Sequence, residues 1–147
     1  TDNLLRGKDS MNVLVVTNNP AAGEKLEKLG LRVEFTKGNA KRSLLHARDL
    51  IIKGWHLAAD PRGGYNKRYN PCHTVFLCDE SVSDMGEDVL VLEKLAQFHD
   101  SPYRPDALHT DFELEDFQIL DMSIALRTTE HLKNYMNELS YKKVREV

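Results

Sequence analysis

Thr17-Asn18-Asn19-Pro20 sets a hydroxyl and two amides between an apolar run and a helix start. In open α/β sheets ligands gather outside the carboxyl ends of the strands, where helix N-termini offer free N–H groups to anions. Thr17, Asn18 and Asn19 are therefore candidates to hold an anionic ligand. The plainer role for the asparagines is to cap the helix. A second cluster, Asp60-Pro61-Arg62-Gly63-Gly64 followed by Lys67 and Arg68, makes an electropositive lip on a loop. Its glycines permit close backbone approach to a bound group. Asp60, Arg62, Lys67 and Arg68 join the ligand-binding candidates, against the alternative of a solvated surface loop. The third feature is Arg48. At about 100° per residue it falls in the arc of Leu44, Leu45, Ala47, Ile51 and Ile52, which predicts a guanidinium on a buried helix face. Such a group needs a partner, and the first choice is Asp121, which falls within the apolar stripe of a later helix. Breaking that pair would cost ~3–5 kcal/mol. The other reading has Arg48 reaching past the strand ends to a bound anion, so it is also a ligand-binding candidate.

Other chemistry finds less support. Cys72, His73, Cys78, His56 and Asp60 lack the spacing of a zinc site, so no metal is expected. Cys78 reads as a small hydrophobe in a strand. Neither a dinucleotide fingerprint nor a phosphate-binding loop pattern occurs, and no cofactor is expected. No Ser-His-Asp arrangement presents itself, and no catalytic residue is nominated.

The elements that would position these residues follow from periodicity and punctuation. Val13-Leu14-Val15-Val16 reads as a strand covered on both faces, followed by a helix over 21–29 opened by Pro20 and closed by Gly30. Residues 32–35 make a second strand, 41–53 a helix closed by Gly54, 55–59 a third strand and 74–78 a fourth. Val89–Phe98 has a short helical pattern, and Thr110 with Glu113 fits a capping box that opens a helix reaching about residue 138. Its apolar positions are Phe117, Leu120, Ile124 and Tyr135, with His131 on the same stripe. This alternation predicts an α/β fold, a three-layer sandwich with a mostly parallel, doubly wound sheet of at least four strands and Val13–Thr17 inside it. Two strand exits on one side of such a sheet would set Thr17–Asn19 and Asp60–Arg68 across a cleft.

Composition narrows the partners. A 41% hydrophobic and 29% charged chain of 147 residues is one ordinary globular domain. A formal charge of -3 argues against a general nucleic-acid binder. No apolar run approaches the ~20 residues of a membrane helix, and no signal-peptide core is visible, so a cytoplasmic location is expected. Two cysteines fit a reducing compartment. Residues 1–10 precede Met11 and read as an N-terminal extension or a cloning remnant, leaving 11–147 as the domain.

Three places carry a family likeness: the Thr17–Pro20 turn, the segment 47–78, and Asp116–Ile124 with the sequence DFQILDMSI. Through them the chain resembles the GrdX family, small proteins encoded beside glycine, sarcosine and betaine reductase genes in anaerobic bacteria. The family pattern has a histidine before the proline where Asp60 stands here, which removes a histidine-based chemistry from that loop. Residues 80–110 match poorly and read as an insertion. The resemblance implies a non-catalytic accessory protein with an assembly, regulatory or adaptor role, and a component of the reductase complex as partner. The alternative is a module binding a small molecule or anion, a modest enzyme included, with its site at the carboxyl ends of the strands. No activity is established for the family.

Overall fold

Four consecutive apolar residues from Val13 require cover on two sides, and the fold supplies it. A computed structural model describes residues 12–62, 70–80, 83–100 and 110–145. Strand β1 (Val13–Thr17) is buried along its whole length. Helix α1 (Pro20–Lys28) follows, with proline at its first position and Asn19 as N-cap. Strand β2 (Arg32–Phe35) leads to helix α2 (Ala40–Ile52), which Asn39 caps. Gly54 just beyond α2 has φ 120°, a conformation that glycine alone adopts without strain. Then come the two-residue strand β3 (His56–Leu57), strand β4 (Thr74–Cys78), helix α3 (Met85–Phe98) and helix α4 (Asp111–Arg145).

The sheet order is β2-β1-β4-β3. β1 and β2 pair in parallel, whereas β4 runs antiparallel to both β1 and β3. This overturns the expected mostly parallel, doubly wound three-layer sandwich: the sheet is mixed, with one parallel pair. The reason lies in the connections. A parallel neighbour requires a crossover, usually a helix, such as α1 between β1 and β2. The segment between β3 and β4 is rich in glycine, proline and charge and has no helical pattern. There the chain turns back, and β4 enters the sheet between β1 and β3. Its start thereby meets the end of β1, with Thr17 opposite Thr74 and Val13 opposite Cys78.

Alternate side chains of the central pair serve two cores. Val13, Val15, Phe76 and Cys78 pack with Leu26 and Leu31, and with Ala125, Leu132 and Met136 of α4. Leu14, Val16, Val75 and Leu77 pack with Leu44, Ala47 and Ile51 of α2, and with Leu92, Leu95 and Ala96 of α3. So α1 and α4 lie on one face, α2 and α3 on the other. The stretch expected as an insertion thus contributes three core side chains through α3.

Within α4 the buried stripe runs through Asp121, Ala125, Thr129, Leu132 and Met136. Leu120 and Tyr135 are half exposed and His131 is exposed, contrary to expectation. Two members of the true stripe are polar, and a reading that follows apolar residues alone is drawn off the centre of the face. Thr129 hides its hydroxyl by donating to the Ala125 carbonyl at 2.9 Å. One half of the expected capping box forms, with Glu113 N–H donating to Thr110 Oγ1 at 3.2 Å; the Glu113 carboxylate turns back to accept from the Thr110 hydroxyl at 3.1 Å.

Candidate functional site

The carboxyl end of β1 is a polar knot. Asn19 Oδ1 accepts from Ala21 N–H at 3.1 Å and Ala22 N–H at 3.4 Å, satisfying the free donors of α1. Its Nδ2 donates at 2.9 Å to both the Gln118 carbonyl and Asp121 Oδ2. One side chain thus ties α1 to α4 while capping α1. The neighbouring asparagine does the same for the loops. Asn18 Nδ2 donates to the carbonyls of Gly38 at 3.1 Å and Pro71 at 3.0 Å, and its Oδ1 accepts from His73 N–H at 2.8 Å. Both amides commit their two N–H donors and their oxygen to the protein itself.

The hydroxyls have a definite order. Thr74 Oγ1 donates to Asp121 Oδ2 at 2.6 Å, so in its 2.8 Å contact with Thr17 Oγ1 it must accept. Thr17 therefore donates to Thr74 and accepts from Asn19 N–H at 3.0 Å. The chain of donors ends on the Asp121 carboxylate, which is 1% exposed. Asn70 completes the frame: its Nδ2 donates to the Phe117 carbonyl and its Oδ1 accepts from Cys72 N–H. Thr17, Asn18, Asn19, Asn70 and Thr74 are all buried. Asp121 was expected to lie on a buried stripe, and it does. Asn70 and Thr74 escaped the sequence reading, which weighed His73 only for a metal, because Thr74 becomes a neighbour of Thr17 only when β4 runs antiparallel.

The expected Arg48–Asp121 pair does not form. The two residues lie on opposite faces of the sheet, Arg48 on α2 and Asp121 on α4. Arg48 instead meets Asp49 at 2.9 Å and Glu93 of α3 at 3.4 Å, and its side chain remains 27% exposed. Its hydrogen bond to Asp49 raises its pKa, with burial opposing. An ion pair open to water contributes little, so Arg48→Ala is expected to cost less than ~1 kcal/mol in urea denaturation. A loss of ~3 kcal/mol or more would restore the buried-charge reading.

Asp60 and Arg62 come together with each other but not with the β1 exit. Arg62 Nε lies 3.0 and 3.2 Å from the two Asp60 oxygens, and Nη2 2.9 Å from one of them. They border a cavity of about 410 Å³ with Leu57, Ser83, Glu87, Asp88 and Tyr135. It sits at the β3 edge of the sheet, between the start of α3 and the later half of α4. Asp88 is buried there, accepting from Leu57 N–H at 3.3 Å and from the Ser83 hydroxyl. Among the described lining residues, the carboxylates of Asp60, Glu87 and Asp88 accompany the single guanidinium of Arg62. Lys67 and Arg68 lie outside the described residues. Thr17, Asn18 and Asn19 do not line the cavity that Asp60 and Arg62 border, contrary to the expected cleft, and β4 lies between β1 and β3 in the sheet.

Neither cysteine is poised for thiol chemistry. Burial, and then the nearby Asp121 carboxylate, push the Cys72 thiol from its ordinary 9.0 up to about 12. Burial also raises Cys78. A folded-state pKa raised above the unfolded value contributes stability that is intact below about 9 and is lost as pH rises toward about 12. Iodoacetamide at pH 8 is expected to spare both thiols in the folded protein and modify both in urea. Rapid modification of Cys72 in the folded state would contradict this assignment. Beside it, His73 and His99 bring their Nε2 atoms to 3.3 Å with the rings nearly perpendicular, at 84°. One ring N–H then faces the lone pair of the other, so the buried pair locks the end of α3 to the start of β4.

Residues 14–130, from β1 into α4, match the family model described as GrdX-like protein. Comparison with curated proteins and with solved structures gave no match.

Proposed function

Because this chain belongs to the GrdX-like protein family, we propose that it is a non-catalytic accessory protein of the glycine, sarcosine and betaine reductase system, acting in assembly, regulation or as an adaptor. Its partner on this reading is a component of the reductase complex, met in the cytoplasm. The observation that supports this reading best is the saturation of Asn18 and Asn19. The residues with the strongest claim to a ligand at the strand ends spend their amides on Gly38, Pro71, His73, Gln118 and Asp121. Such a knot rigidifies a scaffold, and its product is a fixed surface for another macromolecule. The test is affinity capture with the tagged protein from an extract of glycine-fermenting cells. Retention of a reductase component at stoichiometric level is expected. Retention of none, from an extract proven to contain the complex, would overturn the proposal.

The cavity beside Asp60 and Arg62 favours a second reading, a small-molecule-binding module. A ligand held there raises the melting temperature by mass action. Under the leading reading glycine, sarcosine, betaine, acetyl phosphate and nucleotides leave the melting temperature unchanged. A dose-dependent rise with any of them, lost in Arg62→Ala, would favour the module instead.

A further inference from the structure

The start of α4 carries apolar side chains on the wrong side for its own core. At about 100° per residue, Ile119 returns to within about 20° of Phe112, and Asp121 falls opposite to it. Asp121, Ala125 and Leu132 face the sheet, so Phe112 and Ile119 point directly away from it. They are 73% and 50% exposed, and Leu120 flanks them half exposed. Single exposed apolar residues are ordinary, but here they stand in register on one face over two turns. Carboxylates frame them. Between Thr110 and Leu126 the chain holds five acidic residues and no lysine or arginine. All but Asp121 are exposed, Glu115 and Asp116 on either side of the stripe.

Acid in a first turn complements the helix dipole, which accounts for Asp111 and Glu113 but not for Glu115 and Asp116 or for the phenylalanine and isoleucine they flank. A second copy of this chain is a poor occupant, because a symmetric contact through this face would oppose Glu115 and Asp116 to their own equivalents. We infer that this face of α4 docks a protein partner through a basic amphipathic helix, whose apolar side chains cover Phe112 and Ile119 while its lysines and arginines meet Glu115 and Asp116. The inference rests on the accessory reading above, for which it names the contact surface.

The probe is a synthetic amphipathic helix of leucine and lysine, with a scrambled peptide of the same composition as control, titrated against the full chain by fluorescence anisotropy. The amphipathic peptide is expected to bind at least ~tenfold more tightly than the scrambled one. Phe112→Ser/Ile119→Ser should bring it to the scrambled level, and Glu115→Lys/Asp116→Lys should weaken it by ~tenfold or more. All four side chains are exposed, so unchanged melting curves are expected. Equal binding of the two peptides overturns the inference, as does self-association of the wild type that the serine variant abolishes. Capture of the reductase separates the two claims. If the wild type and the serine variant retain a reductase component equally, the surface is wrong and the accessory reading stands. If neither retains one while the peptide result holds, the surface stands and the reductase assignment falls.

Discussion

Replacing Asp121 with alanine is expected to lower stability by about 2–4 kcal/mol. The carboxylate lies 1% exposed and accepts from Thr74 at 2.6 Å and Asn19 at 2.9 Å. Its loss strands two buried donors in a region that water does not reach, and hydrogen bonds to a charged group contribute more than neutral ones. The removal of a buried charge offsets part of the cost, which keeps the figure below that of a broken internal ion pair. Asp121→Asn should fall between wild type and alanine, because an amide oxygen placed where Oδ2 lies still accepts from both Thr74 and Asn19 but without the charge. Urea denaturation of the three proteins gives the order directly. An alanine variant as stable as wild type would mean that the knot at the β1 exit contributes nothing to holding α4.

Asn18→Ala should be of similar size, about 2–4 kcal/mol, through a different route. The Asn18 side chain makes three hydrogen bonds to backbone, at Gly38, Pro71 and His73. Alanine would leave a buried N–H and two carbonyls to find other partners, and would release residues 70–73 from the turn after β2. Asn18→Asp is the sharper test. It preserves shape but sets an acceptor against the carbonyls of Gly38 and Pro71, so it should be less stable than alanine at neutral pH. Hydrogen exchange should then quicken at the His73 amide in either variant. If Asn18→Asp is the more stable of the two, the amide assignment of Asn18 is wrong.

Much of this fold could be read from residue types, and the failures have physical causes. The bounds of β1, β2 and β4 and the existence of every helix follow from apolar runs closed by Pro20, Gly30, Gly54 and the Thr110–Glu113 box. The direction of β4 does not, since strand periodicity is the same for either orientation and only the connection decides it. Everything gathered around Thr74 was hidden with it. For Arg48 the helical wheel drew the packed face of α2 too wide: Ile52, at the edge of the expected arc, is 59% exposed, and Arg48 lies where that face meets α3 rather than the sheet. The burial of Asp121 was legible from its place on α4. Its partners were not, because they depend on which face of the sheet each helix covers. Asn18 and Asn19 were legible as a turn with two possible employments, and distant partners decide between them: Gly38, Pro71 and His73 for Asn18, Gln118 and Asp121 of α4 for Asn19.

The central claim is that the polar residues at the end of β1 clamp the fold rather than await a ligand. A double-mutant cycle in urea on Asn19→Ala and Asp121→Ala measures this most directly. The clamp predicts coupling of about 1–2 kcal/mol, the double variant losing less than the two single losses added together. Additive losses, with coupling near zero, would contradict it and return Asn19 to the candidates for binding.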